Sequence, residues 1–596
     1  MPHLLVIGGP SYDTIHFNGQ TTKSAGGAGL YTALAARRSG SRVSMFSPRS
    51  NPMPDFLRPL EQNLEAWMGP IVKVEDLPRF TIKHEDEVAT YLEFFVGDEA
   101  RLDPSELPQD LSVYNGVHII PLGSVKQQLR FAEACRERGA KMISSGSFIN
   151  LVKEHPSKVR NLLERVDVFF LNEQEAVVLF GSLDLAETQP GKLLMITRGK
   201  NGAIVIQGQL RTEIPPVPAS VVDPTGAGDT FCGATLSNLL QGRHPIMAAR
   251  RAIALASEEI EHVGPTALLF DQDPPNIPLD DRVVVNQDRI DCVGEVIKSI
   301  PETAPFNFVS DYYPSIHHPA ALDFFFVQTL QQFSFWEARQ GRYDKPLIAT
   351  IDGHHCKGST YLSYAYMRPL DSDPMFYTPE RQANMTKAEM RGLFQADDGS
   401  DPMPALDLHL RKAQDYGRDM IAMGLTPQVI IETSNRSSKP LATFLSILDQ
   451  IGGYKEDPFR KKSNLLAMIL KERPEHFLVI AKVEQIQPVI DYHVMRFCLR
   501  TGLVEIQDKV LHSKVARRIL VSVGDEWAIR YTCYLAIQAL IKASGLSMGA
   551  VDYIAFNYNR KHCPEMTDPI CEQCAIDPAC AHRKELFQPV IRTTFY

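Results

Sequence analysis

The first 268 residues alternate short apolar runs with stretches of helical spacing. Leu4-Leu-Val-Ile7 is continuously apolar and ends in Gly8-Gly9-Pro10, the pattern of a strand buried on both faces followed by a turn. Val43–Phe46, Gly116–Pro121, Val168–Leu171 and Leu193–Thr197 repeat it. Leu30–Arg38, Phe131–Gly139 and Thr230–Gly242 read as the intervening helices. This alternation predicts an α/β domain with a parallel sheet and helices on both faces. Residues 80–97, with Ala89-Thr-Tyr-Leu-Glu-Phe-Phe95, read as a small antiparallel β insertion, a lid. Phe270–Pro278 is acidic and Pro-rich, the pattern of a linker. Beyond it the texture changes. Residues 305–365 mix aromatics, short strands and a helix, and Met385–Leu540 repeats apolar residues at helical spacing, so this part is mostly α. The expected organisation is a domain over 1–268, a connecting segment over 269–304 and a second domain over 305–596.

Composition narrows the class. A chain of 596 residues exceeds one ordinary core, and 44% hydrophobic with 22% charged residues is a globular balance. No apolar run is long enough to cross a bilayer, and the start reads as a strand instead of a signal peptide, so a cytoplasmic location without a membrane partner is expected. The net charge of -9 argues against long nucleic acid as a partner. Four of the ten cysteines, Cys563, Cys571, Cys574 and Cys580, crowd into the last tenth of the chain. Such crowding points to a metal centre instead of a disulfide framework.

One segment carries recognisable chemistry. Asp223-Pro-Thr-Gly-Ala-Gly-Asp229 follows a strand and opens a helix. Its glycines let the N–H groups of Gly226, Ala227 and Gly228 converge on one anion, assisted by the helix dipole. Asp229, at the helix start, is placed to accept the proton of an attacking hydroxyl. Read alone, the string is also a Gly-rich turn with a capping Asp.

The full string resembles the C-terminal signature of the ribokinase-like (PfkB-type) carbohydrate and nucleoside kinases. Four further features agree in order. Ile7-Gly-Gly-Pro-Ser-Tyr-Asp13 resembles the family's first-strand motif, and Gly26-Gly-Ala-Gly-Leu-Tyr-Thr-Ala33 its double-Gly motif, with Tyr31 where an Asn is usual. Asn172-Glu-Gln-Glu175 and Thr197-Arg-Gly-Lys-Asn-Gly202 resemble its magnesium and nucleotide-phosphate elements. The resemblance implies a kinase using ATP and Mg2+. Asp13, Gly26 and Gly27 would hold the sugar, Asn172, Glu175, Thr197, Gly199 and Gly202 the nucleotide and magnesium, and Asp229 would be the base.

The terminal cysteines have seven, two and five residues between them, which suits zinc or a [4Fe–4S] cluster. The segment resembles the iron–sulfur loop of the endonuclease III group of helix-hairpin-helix DNA glycosylases, which favours the cluster over zinc. Pro488–Gly502 resembles the same superfamily's catalytic segment, with Asp491 in the place of its carboxylate; alone, Asp491 reads as a helix N-cap. Leu448–Lys455 resembles the hairpin only loosely, and Lys462 is a candidate for an auxiliary role.

From about 305 to 596 the order of motifs is similar to the queuosine salvage family, queuosine 5'-phosphate N-glycosylases. The matching stretches are Phe326–Trp336, Gly358–Leu370, Met385–Asp397, Asp491-Tyr492 and Phe595-Tyr596. The resemblance makes Tyr492 and His493 auxiliary candidates. Phe333, Phe335 and Trp336 alternate like a half-buried strand and are candidates for stacking on a flat base. The expected fold of this half is a helix-hairpin-helix glycosylase-like domain with a C-terminal [4Fe–4S] loop. The expected function is bifunctional salvage: 5'-phosphorylation of a queuosine-like 7-deazaguanine nucleoside, then hydrolysis of its N-glycosidic bond. The alternative is a sugar or nucleoside kinase fused to a nucleic-acid repair module or a regulatory iron–sulfur module. Oligomeric state is not legible.

Overall fold

The computed structural model describes residues 1–17, 20–85, 88–300 and 306–596; side chains at a few positions of the lid strands and the last long helix are also outside the description. The chain divides into two compact units, Met1–Pro278 and Leu279–Tyr596.

The first unit is built on a sheet of nine strands. In chain order its strands, with those of the lid, are β1 (His3–Ile7), β2 (Ser11–Phe17), β3 (Gln20–Gly26), β4 (Arg42–Phe46), β5 (Ala66–Met68), β6 (Arg79–Glu85), β7 (Val88–Phe95), β8 (Gly116–Ile119), β9 (Ile143–Gly146), β10 (Val168–Asn172), β11 (Leu193–Thr197), β12 (Ala203–Gln207) and β13 (Leu210–Ile214). The order across the large sheet is β13-β12-β11-β10-β9-β8-β1-β4-β5. All pairs are parallel except β11–β12 and β12–β13. Leu4, Leu5, Val6 and Ile7 are fully buried, which is why β1 is apolar without alternation. The helices that bear on function are α1 (Ala28–Arg38), α2 (Glu173–Phe180), α3 (Ala227–Leu240) and α4 (Pro245–Glu259). The lid is larger than expected. β6 and β7 pair antiparallel, and β2 and β3 join them in a sheet of order β3-β2-β6-β7. Because β2 follows β1 directly, Asp13 belongs to the lid sheet and not to the large one.

The second unit starts earlier than expected. Val283–Val285 pairs antiparallel with Val504–Ile506, and α5 (Gln287–Lys298) buries Ile290, Val293 and Ile297. The connecting segment expected over 269–304 is thus partly folded into the second unit. Its apolar residues recur at helical spacing and need a partner face. The remaining helices used below are α6 (Pro440–Leu448), α7 (Lys461–Glu472), α8 (Tyr492–Thr501), α9 (Val523–Ser544) and α10 (Met548–Lys561). Two large hydrophobic cores and one small one fill the described part of this unit. One large core gathers Phe324, Phe325, Tyr361, Tyr416 and Phe444; the other gathers Ile290, Val494, Phe497, Ile529 and Ile537. Leu465, Ile486 and Tyr492 touch both.

A buried ion pair closes the seam between these cores. Arg530 on α9 is fully buried and bonds both oxygens of Asp457 at 2.8 Å. Asp457 also accepts from the N–H of Lys461 at 2.8 Å, while Arg530 donates to the Ile490 carbonyl at 3.0 Å. The pair therefore fixes the residues on either side of the seam. Asp457→Ala strands the guanidinium and is expected to lower stability by about 3–5 kcal/mol, measured as a shift in denaturant unfolding followed by circular dichroism.

Candidate active sites

In the first unit the Gly-rich turn and helix start form as the residues dictate. Asp223 braces the turn, accepting from the N–H of Thr225 at 3.0 Å and of Gly264 at 2.9 Å. Gly226 caps α3 with φ 86°, a conformation glycine adopts freely. A Cβ there would lie 2.4 Å from the Tyr31 ring. Tyr31, in place of the usual Asn, thus forms the floor beneath the turn.

A cleft of about 320 Å³ opens above it, lined by Asp13, Gly27, Asn172, Glu175, Thr197, Gly226, Gly228 and Asp229 among others. Residues more than 200 positions apart in sequence converge here. Four predicted residues lie outside the lining. Gly26 is a spacer, since a Cβ there would fall 2.0 Å from an Asp13 oxygen. Ala227 turns its N–H back to the Pro224 carbonyl at 3.4 Å, so of the three residues expected to form the anion hole only Gly226 and Gly228 line the cleft. Gly199 and Gly202, with φ 52° and 81°, shape the loop after Thr197 instead. The Asn172–Glu175 pair is a capping box of α2. Asn172 accepts the Glu175 N–H at 2.9 Å, and Glu175 accepts the Asn172 N–H at 2.9 Å.

Burial tunes the carboxyl groups of the cleft. It pushes Asp229 up to about 7. It pushes Asp13 up to about 6, against hydrogen bonds that lower it. Glu175 rises to about 7 through burial, opposed by its bond from Asn172. Sequence reasoning missed Glu99, which lines the cleft, accepts the Gly9 N–H at 2.7 Å and is pushed up to about 7 by burial. It also missed His118, held neutral by burial, and Cys232 beside it at 3.6 Å. No local pattern marks these three. An Asp with a pKa near 7 is suited to a general base at neutral pH.

In the second unit a cavity of about 300 Å³ lies at the seam of the two cores. Asp491 enters it from the start of α8. Its Oδ1 accepts the N–H of His493 at 2.8 Å and of Val494 at 3.0 Å. The N-cap reading holds, and Asp491 lines the cavity as well: Oδ1 makes the cap, and Oδ2 takes no part in it. Tyr492 and His493 also line the cavity. His493 is held neutral, because burial first and the Arg496 guanidinium second lower its pKa.

Three aromatic candidates separate. Phe335 lines the cavity. Phe333 is fully buried and stacks on His409 at 4.2 Å, while Trp336 packs against Tyr343 and Phe587 in a separate small core. The strand-like alternation fails because Ser334 takes φ 58°, which turns the chain between them. Lys462 is likewise not on the cavity. Its Nζ donates to the Leu330 carbonyl at 3.0 Å, and burial pushes it down to about 7. Its neighbour Lys461 lines the cavity instead and donates to the Gln332 carbonyl at 3.3 Å. Asp552 and Arg560, on the cavity-facing side of α10, were not anticipated.

The hairpin segment joins α6 to α7, but its amides are occupied. Gly452 donates to Asp419 at 2.7 Å and Gly453 to Glu456 at 3.1 Å, so neither faces outward to a phosphate.

The four terminal cysteines line one small cavity of about 40 Å³ directly beyond α10. Donors approach their sulfurs: Arg500 reaches Cys563 Sγ at 3.2 Å, and the His582 N–H reaches Cys580 Sγ at 3.3 Å. Cys571 Sγ also falls within 4.8 Å of ligand atoms of Asp577 and His582. Four thiols around one space, with donors to sulfur, fit a thiolate-bound metal centre.

Residues 7–271 match the model of the pfkB family carbohydrate kinases, and residues 312–544 match that of queuosine salvage protein. The first half is an ATP-dependent phosphotransferase. Its fold is the ribokinase-like α/β fold, and the second half is helical and similar to queuosine salvage protein. The chain is 28% identical over 275 residues to a cytidine kinase of Thermococcus kodakarensis, covering 44% of this chain and 98% of that one. It is 26% identical over 284 residues to a nucleoside kinase of Methanothermobacter thermautotrophicus, covering 44% and 90%. A solved nucleoside kinase of Burkholderia thailandensis in complex with inosine shares 20% identity at a TM-score of 0.39, covering 46% and 94%.

Asp229→Asn is expected to lower phosphate transfer by about 10²–10⁴-fold, measured with ATP and a nucleoside acceptor. A carboxyl group serves as a base only when ionised, so with Asp229 as the expected base the rate in the unaltered protein should fall as pH drops through about 7, in a pH profile of kcat/KM.

Proposed function

We propose that the chain is a bifunctional nucleoside salvage enzyme. The first unit phosphorylates the 5'-hydroxyl of a nucleoside, and the second hydrolyses the N-glycosidic bond of the nucleoside 5'-phosphate to release the base. A queuosine-like 7-deazaguanine nucleoside is the named substrate. The observation that carries this reading is the second cavity. It sets a helix-capping carboxylate, Asp491, among Tyr492, Phe335, Tyr553 and Phe556, a flat apolar surround with an anionic group. That is the combination an N-glycosidic bond needs, with aromatic faces for the base and a carboxylate beside the sugar carbon where positive charge develops.

In the kinase step Asp13 and the turn at Gly27 hold sugar hydroxyls, and Asp229 removes the proton of the attacking hydroxyl. Gly226 and Gly228 present N–H groups to charge on the transferring group. ATP with Mg2+ supplies that group when bound. The loop from Thr197 to Gly202 would hold the nucleotide phosphates, and Asn172 and Glu175, both on the cleft, would hold Mg2+. In the second step Asp491 stabilises the developing cation or activates water. The cysteine loop, Cys563, Cys571, Cys574 and Cys580, would hold a [4Fe–4S] cluster in preference to zinc. Bound by these four thiolates, it would cross-link Cys563, just beyond α10, to residues 571–580.

The test is incubation of the full chain with a nucleoside panel, with and without ATP and Mg2+, followed by mass spectrometry. Free base should appear only with ATP. Asp491→Asn should accumulate the nucleoside 5'-phosphate without base. Base released equally well without ATP would overturn the order of steps, and phosphate transfer with no base from any nucleoside would overturn the second activity. Anaerobically purified protein should show the broad visible absorbance of an iron–sulfur cluster, abolished by Cys574→Ser; a colourless protein binding stoichiometric zinc would decide for zinc.

A further inference from the structure

The glycosidic step leaves one demand unmet by Asp491. When the bond from C1' to the base nitrogen breaks, the electron pair leaves with the base, and a purine-like anion is a poor leaving group without a proton. Among the described residues, one other side-chain carboxyl group, that of Asp552, faces the same cavity.

Asp552 stands on α10, two turns before Arg560 on the same side of the helix, and both line the cavity with Asp491 and Lys461. The helix is held in place against α8. Asn559 donates to the His493 carbonyl at 2.9 Å, and Arg500 donates to the carbonyls of Cys563 at 3.2 Å and Pro564 at 3.0 Å. Glu565, just beyond, is buried and paired with Arg496 at 3.3 Å and with Lys357. Asp552 is thus carried on an element tied to the one that presents Asp491. It lies beyond residue 544, the end of the stretch that matches queuosine salvage protein.

Resting on the reading that this cavity cleaves a nucleoside 5'-phosphate, we infer that Asp552 is the general acid that protonates the departing base, with Asp491 as the carboxylate on the sugar. In the step, the C1'–N bond breaks with its electron pair passing to the base, and the Asp552 proton moves to a ring nitrogen of that base. Water forms the new C1'–O bond, and its proton passes to Asp491. The products are neutral base and ribose 5-phosphate, and solvent returns the proton from Asp491 to Asp552. No oxidant or further reactant is required.

The charges around Asp552 support the division. Burial pushes its carboxyl up to about 7, the nearby Asp491 adds to the rise, and Lys461 from α7 opposes it. Of the other groups on the cavity, His493 from α8 is neutral, and Arg560 lies two turns further along α10. Two carboxyl groups in one enclosed space resist ionising together, which separates an acid from a base. Asp552 carries its proton below about 7 and loses it above, so an acid role requires base release to decline as pH rises through that value.

The test uses the full chain supplied with nucleoside 5'-phosphate. Asp552→Asn should lower base release by about 10²–10⁴-fold. It should lower release of p-nitrophenolate from p-nitrophenyl ribose 5-phosphate, which leaves without a proton, by no more than about 10-fold, a limit set by the difference between acid catalysis and positioning. Asp491→Asn should impair both substrates. The alkaline limb of the base-release profile near pH 7 should disappear in Asp552→Asn and be regained in Asp552→Glu. Thermal unfolding of each variant controls for misfolding. Equal losses on both substrates in a folded Asp552→Asn protein, or an unaltered alkaline limb, would falsify the acid role while leaving the hydrolysis intact. Absence of base release from the unaltered protein would instead overturn the underlying reading.

Discussion

Unsatisfied N–H groups at helix starts are the constraint on which both sites rest. The first turn of a helix leaves N–H groups without intrahelical partners, and something in each site must meet them. At α3 the chain leaves them open to a ligand. Asp223 braces the preceding turn, and Gly226 and Gly228 reach the cleft. At α8 the chain closes them with Asp491, which spends one carboxylate oxygen on the cap. The first arrangement makes an anion-binding turn and the second holds an anion, from the same local physics.

What surrounds each helix start decides its use. Around α3 burial raises the carboxyl groups of Asp13, Glu99, Glu175 and Asp229 toward the neutral range. Around α8 aromatic side chains enclose the carboxylate, and Arg530 with Asp457 fixes both Lys461 and Ile490 at the seam. That ion pair is buried, so its value lies less in net stability than in setting where the adjoining backbone can go.

Much of the kinase cleft was legible because its motifs are contiguous. Asp223–Asp229, Asn172–Glu175 and Gly26-Gly27 carry their geometry in turn and cap residues that act over three or four positions. The cysteine loop was legible for the same reason. Even there, contiguity overreached: Ala227 sits within the motif and turns away, and Gly26 serves by lacking a side chain. Glu99 was invisible because a lone carboxylate acquires its role only when the lid brings it to Gly9.

The sequence by itself determined the α/β alternation and five of the large-sheet strands in the first half, the Gly-rich turn, the capping Asp491 and the gathering of cysteines. Each follows from spacing and local hydrogen bonding. Only the tertiary structure decided which of two adjacent lysines faces the cavity, since neighbours on a helix point about 100° apart. It alone placed Phe335 at the cavity and Phe333 in the core, through the turn at Ser334. And it alone brought Asp552 to Asp491, 61 positions earlier in the chain, because packing between helices depends on which faces bury and not on any motif within either helix.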